Sequence, residues 1–118
     1  MTTDPNRAFR FIAAEMRARL PASGGRRFAI ALERGELLVE FYAPQQIDHQ
    51  KPHDRDECYV VVRGEGRFVM GDETVPFQPG DFLFVPAGMP HRFEDFGDDM
   101  AAWVMFYGPK DGLAGNRL

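Results

Sequence analysis

Cysteine and long hydrophobic runs are nearly absent from this chain. Cys58 is the only cysteine among the 118 residues, so no disulfide bond can form within the chain. No apolar stretch reaches the roughly 20 residues that a membrane-spanning helix needs, and the first residues lack the apolar segment of a signal peptide. We therefore expect no membrane partner and a cytoplasmic location, where thiols stay reduced.

Basic residues are scarce beyond the first 27 positions. Residues 1–27 hold six arginines and two acidic residues, a net charge of +4, whereas the rest of the chain holds eight basic and sixteen acidic residues, a net charge of −8. No aromatic-interleaved basic groove accompanies the arginines, and no helix-turn-helix pattern is present. We expect no nucleic-acid partner. We interpret the arginines as a solvated helix face, or as a face that docks on an acidic partner subunit.

Residues 1–27 are predicted to form one amphipathic helix and a linker. Asp4 and Pro5 are typical of a helix start, and Pro21 ends the pattern. Between them, apolar residues recur at spacings of three and four, namely Phe9, Ile12, Met16 and Leu20. We expect this helix to lie across the outside or the mouth of the domain that follows.

From Phe28 the apolar period changes to two, which is typical of strands. Glycine-containing turns separate many short segments of this kind, and no helical pattern interrupts them. The predicted strands cover residues 28–32, 37–42, 58–63, 67–70, 75–77, 82–85, 91–93 and 100–107. This spacing predicts an all-β sandwich or barrel over residues 28–107, followed by a flexible tail over residues 108–118.

Metal-ligand side chains lie in two of these segments. His53 and Glu57 share strand parity, but four residues of straight strand would separate them by about 13 Å. The polar residues 54–56 must therefore bulge or bend if both side chains reach one ion. His91 approaches from another strand. Two imidazoles and a carboxylate suit one divalent ion of iron, manganese, nickel or zinc.

The spacing of these residues resembles the two motifs of the cupin family. In the first, three residues separate His53 from Glu57, and six more precede Gly64. In the second, five residues separate Gly80 from Pro86-Ala87-Gly88, and two more precede His91. The resemblance covers residues 49–95. It implies a cupin barrel (a double-stranded β-helix or jelly roll), similar to small single-domain proteins of the quercetin dioxygenase-like branch, a bound metal, a small-molecule substrate and a homodimer.

Three positions depart from the family pattern. Gln45 stands where the first motif has a glycine, and Asp95 where the second has an asparagine. Lys51 stands where the family has its first histidine. An ammonium about 6 Å from a divalent ion is repelled by roughly 5 kcal/mol at an effective dielectric constant near 20. Either Lys51 extends to water, or the site binds metal weakly, or it binds none.

Two further residues complete the candidate site. His49 supplies the missing imidazole if the loop before Pro52 curls inward; otherwise it is a solvated loop residue. Tyr59 shares parity with Glu57, so its hydroxyl is the candidate auxiliary acid or hydrogen-bond donor. Glu57 is the candidate ligand and proton acceptor.

These residues support two functional hypotheses. The first is a metal-dependent enzyme, an oxygenase or isomerase, acting on a small organic molecule. The second is a non-catalytic module that binds or senses a small ligand or metal, with Lys51 pairing with an anionic ligand if no metal binds. Glu57 would then need another partner, such as Arg67 or Arg92, because a buried carboxylate cannot stay unpaired without cost.

Overall fold

The computed structural model describes residues 6–112 of the chain. One short helix, α1 (Ala13–Arg17), and one turn of 3-10 helix (Ser23–Gly25) precede the strands. The strands are β1 (Phe28–Arg34), β2 (Leu37–Tyr42), β3 (Asp56–Arg63), β4 (Gly66–Met70), β5 (Glu73–Phe77), β6 (Phe82–Val85), β7 (His91–Glu94) and β8 (Ala101–Tyr107). Each predicted strand is confirmed, with ends that differ by at most two residues.

The strands form two antiparallel sheets. The larger sheet has the order β1-β2-β8-β3-β6, and the smaller has the order β5-β4-β7. The main apolar core takes side chains from both, for example Tyr59 and Val104 from the larger sheet and Phe68 and Phe93 from the smaller. Because both sheets contribute their inner faces to one core, the all-β prediction is confirmed as two layers that enclose an interior.

The alternation of β3 decides which side chains enter that interior. Glu57, Tyr59 and Val61 are buried, whereas the residues between them are only partly buried. In the register of the larger sheet, Glu57 lies opposite Val85 of β6 and Phe106 of β8. Side chains two apart on a strand share a face, so Glu57 and Tyr59 point inward from the start of β3.

Gly64 ends β3 where no other residue fits easily. Its φ is +92°, and an added Cβ would lie 2.8 Å from the Cα of Met100. Such a contact forces the backbone apart, and the positive φ is strained for residues other than glycine. The motif glycine therefore allows the β3–β4 connection to pass against the start of β8.

The predicted helix is wrong in length. It was expected to continue through Phe9 and Ile12 to Leu20, but α1 has only five residues. No side chain among the described residues caps its start at Ile12, and Phe9 is 52% exposed. The apolar spacing therefore overstates the helix, because Phe9 and Ile12 remain exposed while Phe11, which is off the predicted apolar stripe, packs against the larger sheet. Asp4 and Pro5, the predicted start, lie outside the described residues.

The position of α1 agrees with the prediction of an outside location. Met16 is 3% exposed and packs with Ala29 and Phe41 in a second apolar cluster. These two residues belong to β1 and β2, so α1 covers the outer face of the larger sheet. Within residues 6–112, no helix is long and apolar enough to cross a membrane.

The first residues of the predicted tail are held against the barrel. The backbone N–H of Asp111 donates to the carbonyl of Asp54 at 2.6 Å, and Lys110 lies 3.7 Å from the Asp54 carboxylate. Residues 108–112 therefore pack beside the bend that precedes β3. The remainder of the predicted tail, residues 113–118, lies outside the described residues.

Candidate metal centre

The fold brings His53, Glu57 and His91 together. One ligand atom of each lies within 4.8 Å of those of the other two. His53 Nε2 is 3.7 Å from Glu57 Oε2, and His91 Nε2 is 2.8 Å from Glu57 Oε1. The chain bends at residues 54 and 55 before β3 begins, which is the departure from a straight strand that the sequence required. His91 is the first residue of β7 and comes from the opposite sheet.

A backbone hydrogen bond ties the two sequence motifs to each other. The N–H of Gly88 donates to the carbonyl of His53 at 2.7 Å. Gly88 has a φ of +81°, which a residue with a side chain adopts at a cost. The glycine of the second motif thus fixes the backbone of the first histidine of the site.

The orientation of the His91 ring is set by its backbone neighbour. Nδ1 lies 2.9 Å from the carbonyl oxygen of Met89, and a carbonyl only accepts, so Nδ1 carries the proton. In the neutral ring Nε2 is then unprotonated and carries a lone pair. This nitrogen lies 3.1 Å from the hydroxyl oxygen of Tyr59. A histidine held in this way by its second nitrogen is the arrangement that metal-binding imidazoles use.

Glu57 is a buried carboxylate without a hydrogen-bond donor. Its side chain is 1% exposed, and neither oxygen receives a well-formed hydrogen bond from any of residues 6–112. The two arginines that could have paired with it lie elsewhere: Arg67 binds Asp95 at 2.7 Å, and Arg92 binds Glu94 at 2.9 Å. Leaving a carboxylate unpaired in the interior costs several kcal/mol, unless it takes up a proton or binds a cation.

The site therefore has more acceptors than protons. Both oxygens of Glu57 and the Nε2 lone pair of His91 face one another, and the single hydroxyl proton of Tyr59 is donated to Gln50 instead. A protonated His91 is one remedy. Burial lowers the pKa of His91, but the Glu57 carboxylate, the Met89 carbonyl and Asp48 outweigh burial and raise it overall. A divalent transition metal is the other remedy, and two imidazoles with one carboxylate fit it.

Gln50 and Asp48 are site residues that the sequence analysis missed. Tyr59 donates its hydroxyl proton to Gln50 Oε1 at 2.7 Å, and the same oxygen lies 3.4 Å from His53 Nε2. Asp48 is 5% exposed and accepts from the side-chain amide of Gln50 at 2.7 Å. Strand alternation did not indicate either residue, because both are an odd number of positions from His53. Residues 48–55 precede β3 and follow no strand alternation.

Tyr59 lies behind the cluster of His53, Glu57 and His91. It is completely buried, and it is not among the residues that line the neighbouring cavity. Burial, followed by the charge of Glu57, raises the pKa of Tyr59 well above its usual range, so the hydroxyl stays protonated. The geometry gives Tyr59 the part of a hydrogen-bond donor that positions Gln50. Its role as an auxiliary acid stays a prediction.

Lys51 and His49 lie at the edge of the site. Both are exposed. Lys51 is not among the residues that line the cavity, whereas His49 lines its rim. The cluster of close ligand atoms contains His53, Glu57 and His91 without His49. Lys51 therefore extends to water, the first of the alternatives considered above, and ligation by His49 stays a prediction.

Asp95 occupies a turn where its short side chain suits the backbone. Its φ is +56°, a left-handed conformation in which asparagine and aspartate are favoured among residues with a side chain. The Arg67 salt bridge keeps its carboxylate at the surface. The replacement of the family asparagine therefore keeps the turn and adds no charge to the metal centre.

A cavity of about 490 Å³ opens onto His53 and Glu57. Its wall includes Glu40, Tyr42 and Phe106. The pKa of Glu40 is raised to about 7, first by burial and then by the charge of Glu57, which together outweigh the lowering effect of Arg26 and Arg55. Glu40 is thus a second acidic group of the site that the sequence analysis missed. A cavity of this volume is sized for a small organic molecule.

Comparison with known proteins agrees with this geometry. A family model described as Cupin domain matches residues 38–107. The chain is 35% identical over 98 residues to an uncharacterised protein of Streptomyces coelicolor, covering 81% of this chain and 92% of the relative. It is 33% identical over 69 residues to an acireductone dioxygenase of Leishmania major, covering 54% of this chain and 19% of that protein. A solved structure, a proposed mannose-6-phosphate isomerase of Ralstonia eutropha JMP134, is 26% identical with a TM-score of 0.54, covering 70% of this chain and 83% of that one.

This chain belongs to the cupin family, since the match spans more than half of its length. The predicted cupin barrel with a short N-terminal helix is confirmed. The family likeness extends over both halves of the site, because residues 38–107 include His53, Glu57 and His91.

Proposed function

We propose that this cupin binds one divalent transition metal through His53, Glu57 and His91 and acts on a small organic molecule in the adjoining cavity. The observation that carries the proposal is the carboxylate of Glu57, which is buried between two imidazoles without a hydrogen-bond donor. A buried carboxylate needs a positive charge beside it to offset its desolvation cost, and a metal ion supplies that charge when His91 is neutral.

The residues around the proposed ion have separable roles. A divalent ion bound here polarises a carbonyl group or lowers the pKa of a bound water molecule. Glu40 can take up or release a proton at its carboxylate near neutral pH, because its pKa is about 7. Leu38 and Phe106 line the cavity, and their apolar side chains restrict water around a bound molecule. Substrate would approach past His49, which is exposed and lines the cavity.

Oxygenase and isomerase chemistry both remain proposals for this site. The Leishmania relative is a dioxygenase, and the Ralstonia structure is a proposed isomerase. The same ligand set supports both reactions, and a shared fold does not choose between them. The dioxygenase match covers only 19% of that protein, so its activity does not extend to this chain without a direct assay.

Metal analysis of the purified protein tests the proposal. We expect about one equivalent of iron, manganese, nickel or zinc per chain, lost in His53→Ala and in His91→Ala. His49→Ala is the matched control, since His49 is exposed and lies outside the ligand cluster; its metal content should equal that of the unaltered protein. Protein that stays metal-free after growth in metal-rich medium, and after incubation with each ion, would refute the proposal.

A non-catalytic binding module is the second candidate. The position of Tyr59 behind the proposed ligands favours it, because the Tyr59 hydroxyl, the candidate auxiliary acid, then does not face the cavity. An anionic ligand would pair with Arg27 and Arg55, which line the cavity. Lys51, the residue first considered for this role, is exposed. A metal-loaded protein that binds small organic anions and returns them chemically unchanged would support the module over the enzyme.

A further inference from the structure

Among residues 6–112, the cluster of close ligand atoms at the proposed metal site contains three residues of the usual metal-binding types. His53 and His91 contribute imidazoles and Glu57 a carboxylate, whereas Lys51, at the position of the family's first histidine, is exposed to solvent. We propose that the side-chain oxygen Oε1 of Gln50 is the fourth protein ligand. This inference rests on the proposed metal-binding function. A neutral amide oxygen then takes the place of an imidazole.

Asp48 fixes which end of the Gln50 amide faces the site. The Asp48 carboxylate accepts from Gln50 Nε2 at 2.7 Å and from the backbone N–H of Gln50 at 3.2 Å. A carboxylate can only accept, so the amino group of the side-chain amide must face it. The carbonyl oxygen consequently faces the interior, towards His53 and Tyr59.

Asp48 is itself held rigidly enough to serve as this anchor. It is 5% exposed, and it accepts further hydrogen bonds from the Tyr42 hydroxyl and from the backbone N–H of Phe93 at 2.9 Å. Burial, followed by the charge of Asp48, raises the pKa of Tyr42, so the Tyr42 hydroxyl remains a donor. Phe93 belongs to β7, two residues beyond His91, so one carboxylate positions Gln50 and the strand that carries the second imidazole.

The distances suit a shared ion. Ligand atoms that lie about 2.0–2.2 Å from a metal lie about 3.0–3.6 Å from each other. Gln50 Oε1 is 3.4 Å from His53 Nε2, which lies within this range. The Glu57 oxygens lie 2.8 Å and 3.7 Å from the two imidazoles, just below and just above it.

The hydrogen bond from Tyr59 supports the same assignment. Tyr59 donates to Gln50 Oε1 at 2.7 Å, and the second lone pair of that oxygen is available when His53 Nε2, 3.4 Å away, carries no proton. A ligand oxygen that is hydrogen-bonded on its other side is oriented for coordination, as partners behind metal ligands generally achieve. The set of two nitrogens and two oxygens is harder than a set of three imidazoles and one carboxylate, which favours manganese and iron relative to a fully imidazole-rich site.

Cobalt(II) binding tests the assignment in chelator-treated protein. Calorimetry gives the affinity, and the visible absorption of bound cobalt reports its ligands. We expect Gln50→Ala to weaken cobalt binding by roughly tenfold to a hundredfold. Gln50→His should retain binding with an altered cobalt spectrum, since a nitrogen replaces an oxygen. Gln45→Ala is the matched control, because Gln45 is an exposed glutamine of the same loop.

The outcomes separate this inference from the proposed function. If the unaltered protein binds no cobalt, the metal site fails and the Gln50 assignment fails with it. If the unaltered protein binds cobalt and His91→Ala does not, but Gln50→Ala binds with unchanged affinity and spectrum, the metal site stands and Gln50 is not a ligand. If Gln50→Ala weakens binding while Gln50→His binds with the spectrum of the unaltered protein, Gln50 only positions its neighbours and the assignment is overturned. Thermal melting of each variant confirms that it is folded.

Discussion

His91 and Glu57 meet across the barrel interior, with Nε2 of the imidazole 2.8 Å from Oε1 of the carboxylate. One residue begins β7 of the smaller sheet and the other lies near the start of β3 in the larger sheet. The Met89 carbonyl holds the His91 proton on the far nitrogen, so two lone pairs face each other in the neutral state. This arrangement is unfavourable in an empty site and favourable around a cation, and it leads to the predictions below.

Glu57→Gln should stabilise the metal-free protein while it abolishes metal binding. The substitution removes a buried charge that lacks a donor, and we expect a gain in the free energy of unfolding of about 1–3 kcal/mol. Urea unfolding in the presence of a chelator, at alkaline pH where His91 is neutral, measures it. Glu65→Gln is the control, since Glu65 is exposed and its change should be near zero. A clear loss of stability in Glu57→Gln would show that the carboxylate already has a partner without metal.

Glu40 should make the metal-free protein less stable as the pH rises from about 4.5 to about 7. The pKa of Glu40 is raised from 4.5 to about 7, so in this window the folded state binds more protons than the unfolded state. The free energy of unfolding then falls with rising pH through this window. Below the window Glu40 is protonated in both states and contributes no pH dependence. Urea unfolding at several pH values checks this. Glu40→Gln should flatten that part of the profile, and an unchanged profile in the variant would contradict the assignment.

Metal binding should lower the pKa of Glu40. Burial is the main cause of the raised value, and the charge of Glu57 is the second; an ion on Glu57 neutralises that second contribution. Carbon-13 NMR of the side-chain carboxyl group, titrated with and without zinc, measures the change. The His91→Ala protein provides the comparison, because zinc should leave its Glu40 titration unmoved. An equal shift in both proteins would place the ion outside the proposed site.

Lys51→Ala should leave metal affinity within roughly threefold of the unaltered protein. The Lys51 side chain is exposed and does not line the cavity, so water screens its charge from the site. Calorimetry with manganese measures the affinity of both proteins. An increase of more than tenfold would show that the ammonium group repels the ion, as its position in the family motif suggested.

The fold was largely predictable because strand alternation and glycine turns are local signals. The eight strands and the inward direction of Glu57 and Tyr59 follow from a period of two, and the bend at residues 54 and 55 follows from the reach of two side chains to one point. The helix was overestimated because apolar spacing alone, over Phe9 to Leu20, does not show whether a surface is present to bury those residues.

The rest of the site was hidden for two physical reasons. Gln50 and Asp48 lie in an irregular segment before β3, where parity gives no direction. Glu40 alternates with the apolar Val39 and Phe41, which predicts an outward carboxylate, but Phe41 packs beneath α1 and Glu40 faces the cavity. A strand of the larger sheet is covered on both faces, so alternation cannot tell which face is the interior. The homodimer and the cytoplasmic location stay predictions.

Anomalous X-ray diffraction from crystals of the manganese-loaded protein tests the central claim most directly. The account predicts one strong peak per chain, about 2.0–2.3 Å from Nε2 of His53, Nε2 of His91 and one carboxylate oxygen of Glu57. A peak bound elsewhere on the chain, or an interior without a peak in crystals that contain manganese, would contradict it.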